Sequence, residues 1–145
     1  MCDCNRERLK MNVLNGLLSE FYYLRGEIAT EKKEIERLRD SFSPSSIRYD
    51  CFSGGGSLQK TNDERLAELA EKTASIERHI EGQNRRAEQI RNKLHLDDLT
   101  ASEMDVLTAT HHYGTYADAS EACGYSAVQI CRIIKKIKEK LVVYV

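Results

Sequence analysis

The sequence of 145 residues contains no tryptophan and a single proline, and no stretch of it is long and apolar enough to span a bilayer. No basic flank, apolar run and small-residue cleavage site follow Met1, as they would in a secretory signal. These absences predict a cytoplasmic protein with no membrane partner, in which the five cysteines are reduced thiols. Because proline is scarce and 31% of the residues are charged, long amphipathic helices are favoured over sheets. We therefore predict an all-α fold.

A surplus of positive charge is also missing. Lysine and arginine number 22 against 23 aspartates and glutamates, which gives a formal net charge of −1. Domains that bind nucleic acid usually carry an obvious basic surplus. DNA binding by this chain would therefore require positive charge that is concentrated in one place.

Motifs for catalysis and for cofactor or metal binding are absent as well. The segment Gly54–Thr61 ends in Lys-Thr like a phosphate-binding loop, but Gln59 occupies the position before Lys60 where that loop needs glycine. Cys2 and Cys4 have Cys-x-Cys spacing, which does not match the paired spacings of structural zinc sites. We therefore predict that the protein is not an enzyme, with no catalytic residues, no metal site and no cofactor.

Two apolar patterns with alternating steps of three and four residues, typical of coiled-coil helices, run through the first two thirds of the chain. The first comprises Leu14, Leu17, Phe21, Leu24, Ile28, Ile35, Leu38 and Phe42. The second comprises Leu66, Leu69, Thr73, Ile76, Ile80, Gln83, Ala87, Ile90 and Leu94. Thr61 and Glu64 form a capping-box pattern ahead of the second.

A serine- and glycine-rich segment at about 43–60, which contains the only proline, separates the two patterns and predicts a loop. Residues 1–98 are thus predicted to form a long antiparallel helical hairpin, a coiled coil, that buries both patterns. The same patterns would also allow a homodimer through the hairpin.

Residues 99–145 carry local signals for three short helices. Thr100, Thr115 and Ser126 are predicted N-caps, and Thr100 and Ser126 each precede a glutamate or glutamine by three residues, which completes a capping box. Gly114 and Gly124 are predicted to end the first two helices, the second in a left-handed conformation. A short helix, a glycine turn and a longer helix predict a helix-turn-helix DNA-binding domain with 126–141 as its recognition helix.

The predicted recognition helix is two-sided. Its apolar side comprises Ile130, Ile133, Ile134, Ile137 and Leu141. Its opposite side shows Val128, Arg132, Lys135 and Glu139, flanked by Cys131, Lys136 and Lys138. The local concentration of lysine and arginine is the reason to predict double-stranded DNA as the partner.

The stretch "LTASEMDVLTATHHYGTYADASEACGYSAVQICRIIKKIKEKL" resembles the C-terminal promoter-reading domain of bacterial sigma factors. The whole chain is similar to phage and prophage transcriptional regulators of the RinA and ArpU late-operon activator kind. The resemblance implies a phage-encoded, sequence-specific transcription regulator of the late-gene activator type in the host bacterial cytoplasm. Its implied DNA-facing residues are Ser126, Ala127, Val128, Cys131, Arg132 and Lys135, to which the basic side of the helix adds Lys136 and Lys138.

The dipeptide Ala127-Val128 departs from this pattern, since relatives often carry arginine or lysine directly after the serine. Small apolar residues can contact a thymine methyl but cannot pair bidentately with guanine. Two alternatives therefore remain. The first is a protein-interaction module that binds host RNA polymerase or another host protein through its sigma-like domain, and the second is a packaging subunit like a phage small terminase.

Overall fold

A computed structural model describes residues 3–41 and 62–145, and every regular element within these ranges is helical, as predicted. The α-helices are α1 (Asp3–Asp40), α2 (Asn62–Leu94), α3 (Ala101–Tyr113), α4 (Tyr116–Cys123) and α5 (Ala127–Leu141). Two 3-10 helices, Leu96–Asp98 and Val142–Tyr144, follow α2 and α5. No helix in the described ranges combines the length and the apolar character needed to cross a membrane. The predicted loop at about 43–60, the predicted N-cap Thr61, and Cys2 and Phe42 lie outside the described residues.

The chain divides into two compact units. The middle unit is Gly26–Asn84, and the main unit combines Met1–Arg25 with Arg85–Val145. The sequence-based boundary between residues 98 and 99 falls inside the main unit. The reason is that side chains from both sides of that position are buried in one hydrophobic core.

The middle unit has a thin apolar core in which Ile28 and Ile35 of α1 and Ile80 of α2 are buried, with Ile76 packed against them. The middle unit also contains polar contacts between α1 and α2. The Glu31 carboxylate contacts the His79 ring. In the described part of the chain, Glu31 Oε2 and Gln83 Oε1 are buried without a hydrogen-bond partner.

The core of the main unit is larger because α1, α2 and the last three α-helices all contribute to it. Its buried members are Leu14, Leu18, Phe21, Ala87, Ile90, Leu94, Leu96, Leu99, Val106, Leu107, Ala119, Ile130, Ile134, Ile137 and Leu141. Each buried leucine or isoleucine contributes about 1.5–3 kcal/mol relative to an exposed one. Arg86 Nε donates to Glu20 Oε1 at 2.7 Å at the edge of this core.

Two members of the sequence patterns are placed differently from the prediction. Leu18 is fully buried, whereas Leu17, the predicted seam residue, is only half-buried. The apolar side of α1 in the main unit is wider than a coiled-coil seam because it also contributes to the core of the last three helices. Leu66, near the start of α2, is 51% exposed instead of buried.

The three predicted helix starts of the last third are confirmed. Thr100 accepts the Glu103 N–H at 3.2 Å, and Glu103 Oε1 accepts the Thr100 N–H at 3.1 Å. Ser126 and Gln129 form the same reciprocal pair at 3.2 and 2.9 Å. Thr115 caps α4 by accepting the Asp118 N–H at 3.3 Å.

The turn between α4 and α5 is fixed by two hydrogen bonds. Gly124 is left-handed, with φ 76°, as predicted, and its N–H donates to the Ser120 carbonyl at 3.0 Å. The Ser120 hydroxyl donates to the Tyr125 carbonyl at 2.5 Å. Together these bonds set the point at which α5 begins.

Candidate nucleic-acid interface

Helix α5 is strongly two-sided. Ile130, Ile134, Ile137 and Leu141 are at most 4% exposed, and they follow each other at the three- and four-residue steps of one helical face. Ile133, predicted with them, is half-buried at the edge of the core. Burial of this face directs the opposite face of α5 to solvent.

The residues predicted to face DNA begin in the first turn of α5. The Ser126 oxygen is engaged as a cap acceptor, while its hydroxyl proton has no acceptor in the described part of the chain. Ala127 and Val128 follow and are exposed, Val128 to 61%. Cys131 is an exposed free thiol one turn later.

Three cations continue this exposed face. The side chains of Arg132, Lys135 and Lys136 are exposed, and none of them forms an ion pair within residues 3–41 and 62–145. Arg132 and Lys135 are three residues apart, and Arg132 and Lys136 are four apart, so all three lie on adjacent rows of the helix surface. Their guanidinium and ammonium groups are therefore available to a phosphate or a base edge.

The other two cations of α5 differ from these three. Lys138 is half-buried, and its charge contributes to a lowered pKa of His111, although desolvation by burial is the larger cause. Lys140 Nζ donates to the two oxygens of Glu103 at 3.0 and 2.9 Å, and this contact is the main reason that the Glu103 pKa lies below its ordinary value. The sequence alone did not separate the paired lysine from the unpaired cations.

His111 of α3 lies in a contact that the sequence did not indicate. Its ring stacks on Tyr22 of α1 with centroids 4.5 Å apart and 17° between the planes. The Tyr22 hydroxyl lies 3.0 Å from the Thr108 hydroxyl oxygen. Desolvation by burial lowers the pKa of His111, which favours the neutral form of the ring that packs against Tyr22.

Charge is segregated along the last third of the chain. No lysine or arginine occurs between Lys93 and Arg132, and every cation after Lys93 is on α5. The same interval contains six carboxylates, at Asp97, Asp98, Glu103, Asp105, Asp118 and Glu121. Counting charge along the sequence would have revealed this division, which a net charge of −1 conceals.

An open cleft of about 400 Å³ lies between α3 and α4, beside the turn that leads into α5. The lining residues are Ser102, Asp105, Thr108, Ala109, Ala122, Cys123 and Tyr125. No sequence pattern indicates this cleft, because its residues come from two helices and a turn.

No cluster of three or more histidine, cysteine, aspartate or glutamate side chains that could hold a metal ion occurs within residues 3–41 and 62–145. Comparison with models of protein families, with curated proteins and with solved structures gave no match.

Proposed function

We propose that the chain is a phage-encoded, sequence-specific DNA-binding transcription regulator of the late-gene activator type. In this proposal α4 and α5 are a helix-turn-helix, α5 lies in the major groove, and the protein acts in the host cytoplasm without catalysis or a cofactor. The observation that carries it is the row formed by Arg132, Lys135 and Lys136. These are unpaired cations on the exposed face of a capped helix, and no lysine or arginine occurs in residues 94–131 that precede them.

Helices α1 and α2 are, in this proposal, an antiparallel hairpin that supports the domain. Two ion pairs within the middle unit support that arrangement. Glu31 contacts His79, and Arg39 Nη2 lies 3.8 Å from Glu77 Oε1. The partner on α2 is earlier in the sequence when the residue on α1 is later, which is the antiparallel order. A homodimer through the same patterns is the alternative arrangement.

Contacts to DNA are divided along α5. The first turn, with Ser126, Ala127 and Val128, would approach base edges, where the apolar pair suits a thymine methyl group. Arg132 is long enough to reach a base edge or a phosphate, and Lys135 and Lys136 would contact phosphates. Phosphate contacts position the helix and supply the salt-dependent part of the affinity.

A salt titration on duplex DNA tests the proposal with a matched pair of lysines on one helix. Lys136→Gln removes an unpaired cation, so the slope of log affinity against log salt should become shallower by about one. Lys140→Gln removes the same charge from a lysine that is paired with Glu103, so the slope should stay close to that of wild type. Arg132→Ala should reduce the preference for a selected site over random duplex by about 1–3 kcal/mol.

The proposal is overturned if the wild-type protein binds no duplex at low salt, or if the two lysine variants have the same slope. The first result would favour the protein-interaction alternative, in which the domain binds host RNA polymerase or another host protein. The specific feature behind that alternative is Val128, an exposed apolar residue where a base-reading helix usually carries a polar one.

A further inference from the structure

The cleft between α3 and α4 presents a defined chemistry. Ala109, Ala122 and Tyr125 contribute apolar surface, and Ser102 and Thr108 add polar residues to the lining. Asp105 lies at the same cleft, and its exposed carboxylate forms no ion pair within the described residues. A protein segment that fits this cleft carries a small apolar side chain close to a cation.

Helix α5 displays such a segment. Val128 is 61% exposed, and Arg132 follows it four residues later, so the two side chains are neighbours on one helical face. Arg132, like Asp105, has no ionic partner in the described part of the chain. The side chains of Val128 and Arg132 are exposed to solvent within their own molecule and are therefore free to contact a second copy of the chain.

The position of the cleft allows two such contacts at once. Tyr125 lines the cleft, and α5 begins only two residues later at Ala127, so the cleft and the first turns of α5 are adjacent on the surface. In a two-fold interface every contact occurs twice, with the roles of the two copies exchanged. A two-fold interface of this kind would seat the α5 of each copy in the cleft of the other.

We propose that the protein forms a two-fold symmetric dimer in which Val128 of each copy enters the cleft of the other and Arg132 pairs with Asp105. The chemistry is complementary, since a carboxylate without a partner meets a guanidinium without a partner. With a net charge of −1, little long-range repulsion opposes association. The contact itself does not depend on DNA binding. If α5 also binds DNA, the two partners compete for Arg132.

The interface can be tested by reversing the charges of Asp105 and Arg132 in the full-length protein. Association is measured by sedimentation velocity over a range of concentrations. Wild type should associate to a dimer that weakens as salt is added, because exposed charges are screened. Asp105→Arg and Arg132→Asp should each raise the dimer dissociation constant at least about 10-fold, since two like-charge contacts replace two attractive ones. The double variant should return to within about threefold of wild type.

The decisive measurement is a mixture of the two single variants. Neither should self-associate, but one of each should form a heterodimer, because both contacts then unite opposite charges. Lys33→Glu, an exposed charge change in the middle unit, is the control and should leave association unchanged. Circular dichroism checks that each variant is folded. A monomeric wild type, a dimer insensitive to both single changes, or a mixture without heterodimer would overturn the inference.

Discussion

The turn before α5 provides a sharp test of the local structure. Gly124 has φ 76°, and a β-carbon added to it would have no neighbouring atom within 4 Å. Replacement of Gly124 by alanine would therefore introduce no steric clash. The loss of stability would come only from placing an L-residue in the left-handed conformation. That conformation costs an L-residue about 1–2 kcal/mol. Loss of glycine freedom in the unfolded chain offsets about 0.4–1 kcal/mol of this cost. We expect a net destabilisation of about 1 kcal/mol.

Gly16 is a matched control in the same unit. It lies within α1, is exposed, has no positive φ, and would also leave an added β-carbon without a neighbour within 4 Å. The identical change, Gly16→Ala, should stabilise the protein by about 0.5–1 kcal/mol, because glycine is unfavourable inside a helix. The same methyl group should thus have opposite effects at the two positions.

Urea and thermal unfolding of the two variants measure this difference. A separation of about 1.5–2 kcal/mol corresponds to a difference of several degrees in Tm, at about 2–4 °C per kcal/mol for a chain of this size. Gly124→Asn should recover part of the loss, since asparagine tolerates the left-handed region better than alanine. A Gly124→Ala variant as stable as wild type would refute the assigned cost of the left-handed backbone. A change in the free energy of unfolding with the same sign in both alanine variants would refute it as well.

Two further predictions concern groups inside the helical packing. His111 faces Tyr22 and Lys138, and its lowered folded pKa means that its contribution to stability is present above the ordinary histidine pKa and is lost as the pH falls through the folded value. His111→Phe should therefore flatten the fall in the urea midpoint between pH 7.5 and 5, and an unchanged slope would contradict the assignment. Gln83→Leu should raise the free energy of unfolding by about 1 kcal/mol or more, and Tm with it. The reason is that Gln83 Oε1 is buried without a hydrogen-bond partner in the described ranges. A lower Tm would show that the amide oxygen is satisfied.

Features that depend on neighbours in sequence were predicted residue by residue. The caps at Thr100, Thr115 and Ser126 join atoms three residues apart, and the turn at Gly124 depends on the conformation of one residue. Such contacts form whenever the local backbone is helical, so they are encoded by short patterns. The starts of the last three helices followed from these patterns, whereas the helical class followed from the composition.

Contacts between distant residues were not predictable in the same way. Lys140 and Glu103 are 37 positions apart, and Tyr22 and Thr108 are 86 apart, so no spacing rule relates them. The pattern in α1 selected Leu17 over Leu18 because a coiled-coil template assumes one partner helix, whereas that helix contributes to a core shared with α3, α4 and α5. For the candidate site, the exposed face of α5 was predictable from the sequence, but the pairing that distinguishes Lys140 from Lys136 was not.

The two ends of α5 are anchored by different interactions, one on each side of its exposed cationic face. At its start, the Ser120 hydroxyl holds the Tyr125 carbonyl, one residue before the Ser126 cap. At its end, Lys140 is held by Glu103, whose Oε1 also accepts the Thr100 N–H at the start of α3. The carboxylate that caps α3 is therefore the same one that fixes the last turn of α5. Because its pKa is lowered, Glu103 keeps its charge, and with it both contacts, to a lower pH than an isolated glutamate would. Arg132 lies between these anchors, so the unpaired cationic face is held in a fixed orientation by groups that do not belong to it.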